Sequence, residues 1–446
     1  MKRCHEIGAL LIILTVAPVF AQVGGASGST GDQMLMPAPV SGQAFATEVT
    51  SEERRNYLRA GVTFTGAYND NAFLGASGQP ESDVSYTIMP TISWDETNSR
   101  LHWLLSYAPG FTFYQRESSM NQTDQNAILS FEYRLSPHVT LSAQDRFQKS
   151  SNVFNQPDPT STTVVSGGTQ EPNFSIITPD ADRLTNSGNL GINYQFARNA
   201  MIGANGNVSN LYFPNASEVP GLYNSDSEGG TVFLSLRASQ KHYFGATYQY
   251  QRFLSYPFGT SAKTQTQGAM FFYSFSPTTR LSFSFFGGPQ YSDSAPTAFP
   301  GELPTAEVRA WSPAAGASFN WRGKLSSFAL SYSQIISGGA GLEGAVHMDS
   351  ATASVRQRIS KALSGSLSGG YTKNEVLAGS VPFVSNGHTI QGTASLQQQF
   401  GQNLSLALGY TRLYQSYPGV AVISTAPSTN REFISLSYQF LRPLGQ

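Results

Sequence analysis

One cysteine and a 12% share of charged residues are the scarcest features of this 446-residue chain, whose net charge is -1. With a single thiol no internal disulfide can form, which excludes a small stapled fold. So neutral a chain offers no electrostatic footprint for nucleic acid or an anionic surface. After residue 21 it also lacks any apolar run of the ~18 residues that a spanning helix needs. Aromatic residues, by contrast, reach 12%, and Gly, Ser, Gln and Thr fill much of the remainder. That composition is too uncharged for a disordered chain and too polar for a bundle of membrane helices. If the chain spans a membrane it must do so as a closed β-barrel, because lipid satisfies no backbone hydrogen bonds.

Lys2 and Arg3 precede an apolar run over residues 7–20, and Val19-Phe20-Ala21 offers small or branched residues before a cut. This is the pattern of a secretory signal peptide over residues 1–21. Cys4 lies before the run, so the mature chain would carry no thiol into an oxidising periplasm. Residues 22–56, rich in Gly, Ser, Pro and Ala, read as a flexible periplasmic leader.

From Tyr57 to Phe440 the chain is a succession of extended segments of roughly 10–14 residues, enough for a tilted strand to cross a bilayer. Alternation is clearest in residues 281–285 (L-S-F-S-F), 328–332 (F-A-L-S-Y) and 404–410 (L-S-L-A-L-G-Y). Each puts Leu, Phe or Tyr on one face and Ser, Ala or Gly on the other. Segment starts near Tyr57, Asp83, Leu101, Ala127, Val139, Leu184, Ala200, Gly229, Tyr243, Thr264, Leu281, Glu307, Ser326, Met348, Leu363, Thr389, Leu404 and Arg431 give 18 strands. Short connections such as 136–138, 198–199, 322–324 and 401–403 alternate with long ones such as 69–82, 150–183, 292–305 and 415–430. The expected fold is therefore all-β: a transmembrane antiparallel barrel over residues 57–440, with short periplasmic turns, long extracellular loops and a short tail, 441–446.

Aromatic residues gather near the connections. Trp94, Trp103, Tyr133, Phe196, Tyr243, Phe275, Trp321, Phe400 and Phe440 would form an inner girdle, and Tyr68, Tyr114, Tyr291, Tyr371 and Tyr414 an outer one. In the last segment Ile434, Leu436, Tyr438 and Phe440 share one face, opposite Phe433, Ser435, Ser437 and Gln439. Its ending, Tyr438-Gln439-Phe440, resembles the aromatic-x-aromatic signal by which outer-membrane barrels are recognised and inserted. Tyr438 and Phe440 are thus the insertion-signal candidates, and the barrel-assembly machinery the expected partner. Ser435 stands where that signal favours glycine. Residues 68–74, Y-N-D-N-A-F-L, are similar to the tyrosine and Asp-Asn stretch found early in the outer-membrane β-barrel porin type 2 family. That resemblance implies an outer-membrane location and a pore-like fold, in some members linked to polysaccharide export. It transfers no catalytic or binding residue.

A barrel of this strand number leaves an aqueous channel, and its Ser, Gly, Ala, Gln, Asn and Thr face should be wet and nearly neutral. Arg146, Arg252, Arg356 and Arg358 are the candidate lumen charges. The longest loop, residues 150–183, is the third on the long side, and in porins of shared architecture that loop folds inward and sets the constriction. Asp158, Glu171, Asp180 and Asp182 are then the candidate constriction acids, with Arg183 offsetting one of them. No metal cluster, phosphate loop or nucleotide fingerprint stands out, so no cofactor is expected. The scattered histidines have no serine or acid fixed beside them by sequence, and the chain is read as a non-enzyme. The functional expectation is an outer-membrane channel for passive diffusion of hydrophilic solutes, set in lipid and lipopolysaccharide. The alternatives are a polysaccharide-export pore and a non-conducting barrel with adhesive loops. A second copy of the barrel is a further expected partner, as a homo-oligomer.

Overall fold

The computed structural model describes residues 56–72, 80–151, 154, 181–257, 260–295, 307–339, 341–377, 386–418, 420 and 428–443. They form nineteen strands: β1 (Tyr57–Asn69), β2 (Asp83–Thr97), β3 (Leu101–Tyr107), β4 (Gly110–Tyr114), β5 (Gln122–Arg134), β6 (Val139–Ser150), β7 (Arg183–Ala197), β8 (Ala200–Tyr212), β9 (Ser225–Ser239), β10 (His242–Ser255), β11 (Ala262–Thr278), β12 (Leu281–Ala295), β13 (Val308–Arg322), β14 (Ser326–Gly338), β15 (Ala345–Arg358), β16 (Leu363–Val376), β17 (Gly387–Phe400), β18 (Leu404–Ser416) and β19 (Ser428–Pro443). Neighbours pair antiparallel around the sheet, and β1 pairs with both β2 and β19, so the sheet closes on itself.

Two of the nineteen segments share one crossing. The register of β2 runs from Trp94↔Leu105 on β3 to Ile88↔Phe111 on β4 without a shift, and β5 pairs with both in the same way. Between them stands Pro109, which has no N–H to give the ladder, while the Ala108 N–H still reaches the Asn126 carbonyl at 2.8 Å. Nineteen less one leaves eighteen crossings, as expected from the sequence.

The alternation resolves into two surfaces. On β19, Ile434, Leu436, Tyr438 and Phe440 are 42–51% exposed and face outward, whereas Ser435 and Ser437 are buried on the inner face. This strand continues to Pro443, beyond the expected end at Phe440. Trp94, Phe196, Trp321 and Phe400 are outward near the short turns, and Tyr68 and Tyr371 are outward near the long loops. Tyr243 and Tyr114 depart from the expected girdles. Both are buried on the inner face, and His242 takes the outward place, its ring stacked on Phe275 at 4.7 Å.

Local chemistry fixes the short turns. Ser136, Ser239, Thr278 and Ser360 each accept the backbone N–H two residues on, at 3.2–3.3 Å. Gly401 turns with a φ of +68°, which glycine adopts without strain. Across the inner wall, hydroxyl pairs lace opposed strands: Thr63 with Ser437 at 2.9 Å, Ser333 with Ser350 at 2.7 Å, Ser366 with Ser395 at 2.7 Å. Inward phenylalanines lie flat on the wall. Phe233, Phe272, Phe286 and Phe433 each face a glycine on the next strand, Gly203, Gly245, Gly316 and Gly409, where a Cβ would run into the ring.

The stretch Asp70-Asn71, just beyond β1, clasps the two ends of the sheet. Asp70 accepts from the Asn430 backbone N–H at 2.7 Å and from its Nδ2 at 2.6 Å, and Asn71 Nδ2 donates to the Ser428 carbonyl at 2.9 Å.

Candidate functional site: the lumen and its outer mouth

The inner wall changes character along its height. On β15 the inward residues Val346, Met348, Ser350 and Thr352 are buried, whereas Arg356 and Arg358, nearer the short turns, are exposed. On β11 Ala262, Thr264, Thr266, Met270 and Phe272 are buried and Ser274 is half-buried. Toward the short turns these two strands face an open vestibule, although Met201, Phe233 and Tyr243 on β8–β10 form a buried cluster at that end, and the outer half is filled.

Loops fold in to fill it. Phe213, Val219 and Leu222 follow β8, Leu342 joins β14 to β15, and Tyr417 and Val420 follow β18. All six are at most 3% exposed, and they form one apolar cluster with Met270, Phe272, Phe286, Ile335 and Val346 from the wall. Hydrogen bonds tie the pieces together: Tyr223 N–H to the Gly341 carbonyl at 2.7 Å, and Gly344 N–H to the Ser255 side-chain Oγ at 2.8 Å. Gly341 has a φ of +106° and lies against the Phe213 ring, a place that a side chain would strain. Tyr417 sits over Gly387, and its hydroxyl accepts from Asn374 Nδ2 at 2.8 Å. Burial pushes the Tyr417 phenol above its ordinary pKa, and burial followed by the nearby Glu343 does the same to Tyr223.

The third long loop also starts inward. Phe154, 4% exposed, stacks its ring on the guanidinium of Arg431 at 4.9 Å, so it reaches from the end of β6 to the wall at β19. Of the candidate constriction acids, Asp158, Glu171 and Asp180 lie outside the described residues. Asp182 is at the rim, where Lys149 Nζ meets it at 3.0 Å and Ser151 Oγ donates to it. Arg183 beside it points into the wall, 2% exposed.

Among the candidate lumen charges, Arg146, Arg356 and Arg358 occupy inward positions, across from Ile128, Ser327 and Ser364. Arg252 does not. It alternates with the buried Phe253, faces outward and binds Glu228, its direct partner on β9, at 2.7 Å. Near the outer rim an outward cation meets headgroups rather than hydrocarbon, and an opposed carboxylate stabilises it there. Tyr256 completes this patch: its hydroxyl donates to Asp226 at 2.6 Å, which, ahead of burial, pushes its pKa up to about 12. Sequence reasoning also passed over Asp145, outward and exposed at mid-strand on β6, beside Gly188. Among the described residues no group of three or more His, Cys, Asp and Glu could hold a metal ion.

A closed antiparallel barrel with an apolar outer belt between aromatic girdles pairs its backbone around the ring and presents lipid with side chains it tolerates. The chain is an outer-membrane β-barrel, located in the cell outer membrane. No family profile and no curated protein matches it. Among solved structures it is similar to the ferric citrate transporter FecA, with 9% identity, 87% of this chain and 80% of that one covered, and a TM-score of 0.44. It is likewise similar to OccK2 (OpdF) of Pseudomonas aeruginosa, with 9% identity, 86% and 98% coverage and a TM-score of 0.42. OpdK of the same organism, solved with vanillate, gives 8%, 86% and 99%, and 0.39. These likenesses concern the fold alone, and the similarity of residues 68–74 to the porin type 2 family stays a resemblance.

Proposed function

We propose that this barrel is a passive channel for hydrophilic solutes whose outer mouth is narrowed by its own in-folded loops. The observation that carries this reading is the inner wall, where hydroxyl and amide side chains line a water-open periplasmic vestibule. Selectivity would come from the width left beside the Phe213, Leu342 and Tyr417 cluster and from the sparse vestibule cations Arg356 and Arg358. Nothing in this reading needs energy coupling or bond-making chemistry. The apolar core of the mouth also favours a second reading, a barrel that conducts little and serves through its outer surface. Swelling of proteoliposomes in isotonic sugars of stepped size separates the two. Permeation that falls off with solute size supports the channel, and liposomes that stay inert to the smallest sugar, although the barrel is folded, support the second reading.

A further inference from the structure

The wall has a break in its outer half. Pairing of β13 with β14 runs from Arg322↔Ser327 to Ala315↔Gln334 and stops, although β13 extends to Val308 and β14 to Gly338. On its other side β13 stays paired with β12 up to Val308.

Pro313 explains the break. In the continued register it would face Ile336, but it has no N–H to offer across the ladder. The Ile336 N–H donates instead to Gln290 Oε1 at 3.1 Å, on the inner face of β12. Side-chain burial shows where the end of β14 goes. By parity with Leu330 and Tyr332 the Ile336 side chain should face lipid, yet it is 3% exposed and packs on Phe253, an inward residue of β10. Ile335, on the other face, joins the apolar cluster of the mouth. Both faces are covered, so the tip of the β14–β15 hairpin has left the wall and entered the lumen.

What it leaves behind is a seam without backbone pairing on the side of the outer leaflet. On its outer lip Trp311 is 72% exposed, next to Tyr291 at 5.2 Å. Behind it Phe286, Met270, Ala314 and Ile335, each at most 7% exposed, close the seam as part of the apolar cluster. On the inner lip Gln290 and Ser312 are direct cross-strand partners, and Gln290 Nε2 and Ser312 Oγ are both buried without a hydrogen-bond partner. Gln290 is wholly buried, and because its Oε1 is engaged by Ile336 its free group is a donor. Two spare donors behind an apolar seam match a carboxyl or ester oxygen on an apolar tail. The spacing of one strand, ~4.8 Å, is comparable with the width of one acyl chain.

We propose that the break between β13 and β14 is a lateral port that takes a single-chain amphiphile from the outer leaflet into the barrel, its head oxygen held by Gln290 and Ser312. This goes beyond the aqueous route and does not depend on it.

The probe is 11-(dansylamino)undecanoic acid, added to the full barrel in lipid nanodiscs, with energy transfer from tryptophan to dansyl as the readout. The expected result is saturable transfer that Trp311→Phe reduces, with affinity about tenfold weaker in Ser312→Ala. Ala314→Trp, which blocks the seam, should abolish it. Ser312→Ala leaves the Ile336 hydrogen bond intact, so its reading does not hinge on refolding of the hairpin. Transfer that never saturates, or the same affinity in Ser312→Ala and Ala314→Trp as in the parent, would overturn the port.

Discussion

Asp70 and Asn430 are 360 residues apart in sequence and joined by three hydrogen bonds: the Asn430 N–H and side-chain amide donate to the Asp70 carboxylate, and the Asp70 N–H donates to the Asn430 carbonyl. They close the ring at its outer rim, where β1 meets β19. A barrel without the Asp70 carboxylate keeps its ladder and loses a charged acceptor for three donors, the third being Thr429 Oγ1.

Asp70→Ala should therefore lower the stability of the folded barrel by about 1–3 kcal/mol without changing its strand content. The midpoint of heat modification on electrophoresis measures this. Combined with Asn430→Ala the effect should be clearly less than additive, because the two side chains form one unit.

The plug should respond to alkali. Tyr417 is wholly buried, and its phenol is raised above 10.0 chiefly by that burial. Below pH ~10 the phenol is neutral whether the mouth is closed or open, and the closed form is fully stabilised. As pH climbs through the raised pKa, ionisation favours the open form, in which the phenolate is hydrated. Channel conductance should rise reversibly above pH ~10, and Tyr417→Phe, which cannot ionise, should blunt the rise. An identical pH profile in Tyr417→Phe would assign the effect to other groups, Tyr223 first among them.

Asp145 faces outward at mid-strand with Leu129 and Gly188 as its cross-strand partners. A lipid-facing acid at that depth costs less than the ~2–4 kcal/mol of a midplane Arg or Lys, but it costs something. Asp145→Leu should raise the unfolding temperature in lipid, and equal temperatures would mean that the carboxylate is not in hydrocarbon.

Much of this architecture could be read from residues alone. Strand starts at Tyr57, Leu101, Val139, Ala200, Leu281, Ser326, Leu363 and Leu404 coincide with those observed, because a period of two and short turns opening on Ser, Thr or Gly mark both ends of a hairpin. The mouth was not legible. Phe213, Leu342 and Tyr417 lie in connections that have no periodicity, and their meeting is decided by which strands the barrel brings around. The faces of Arg252 and Tyr243 are not set by sequence alone, for a related reason. Near a strand end an aromatic or a cation fits either face, and only the partner strand, with Glu228 opposite Arg252, decides. The flat Phe–Gly pairs likewise need the register before the glycine acquires a meaning.

The most direct test of the filled outer mouth is single-channel conductance of the full barrel beside the double variant Leu342→Ser, Tyr417→Ala in planar bilayers. A parent that conducts in small steps or rarely opens, with a variant several-fold more conductive, is the predicted pair. Large, steady conductance in the parent, unchanged in the variant, would contradict it.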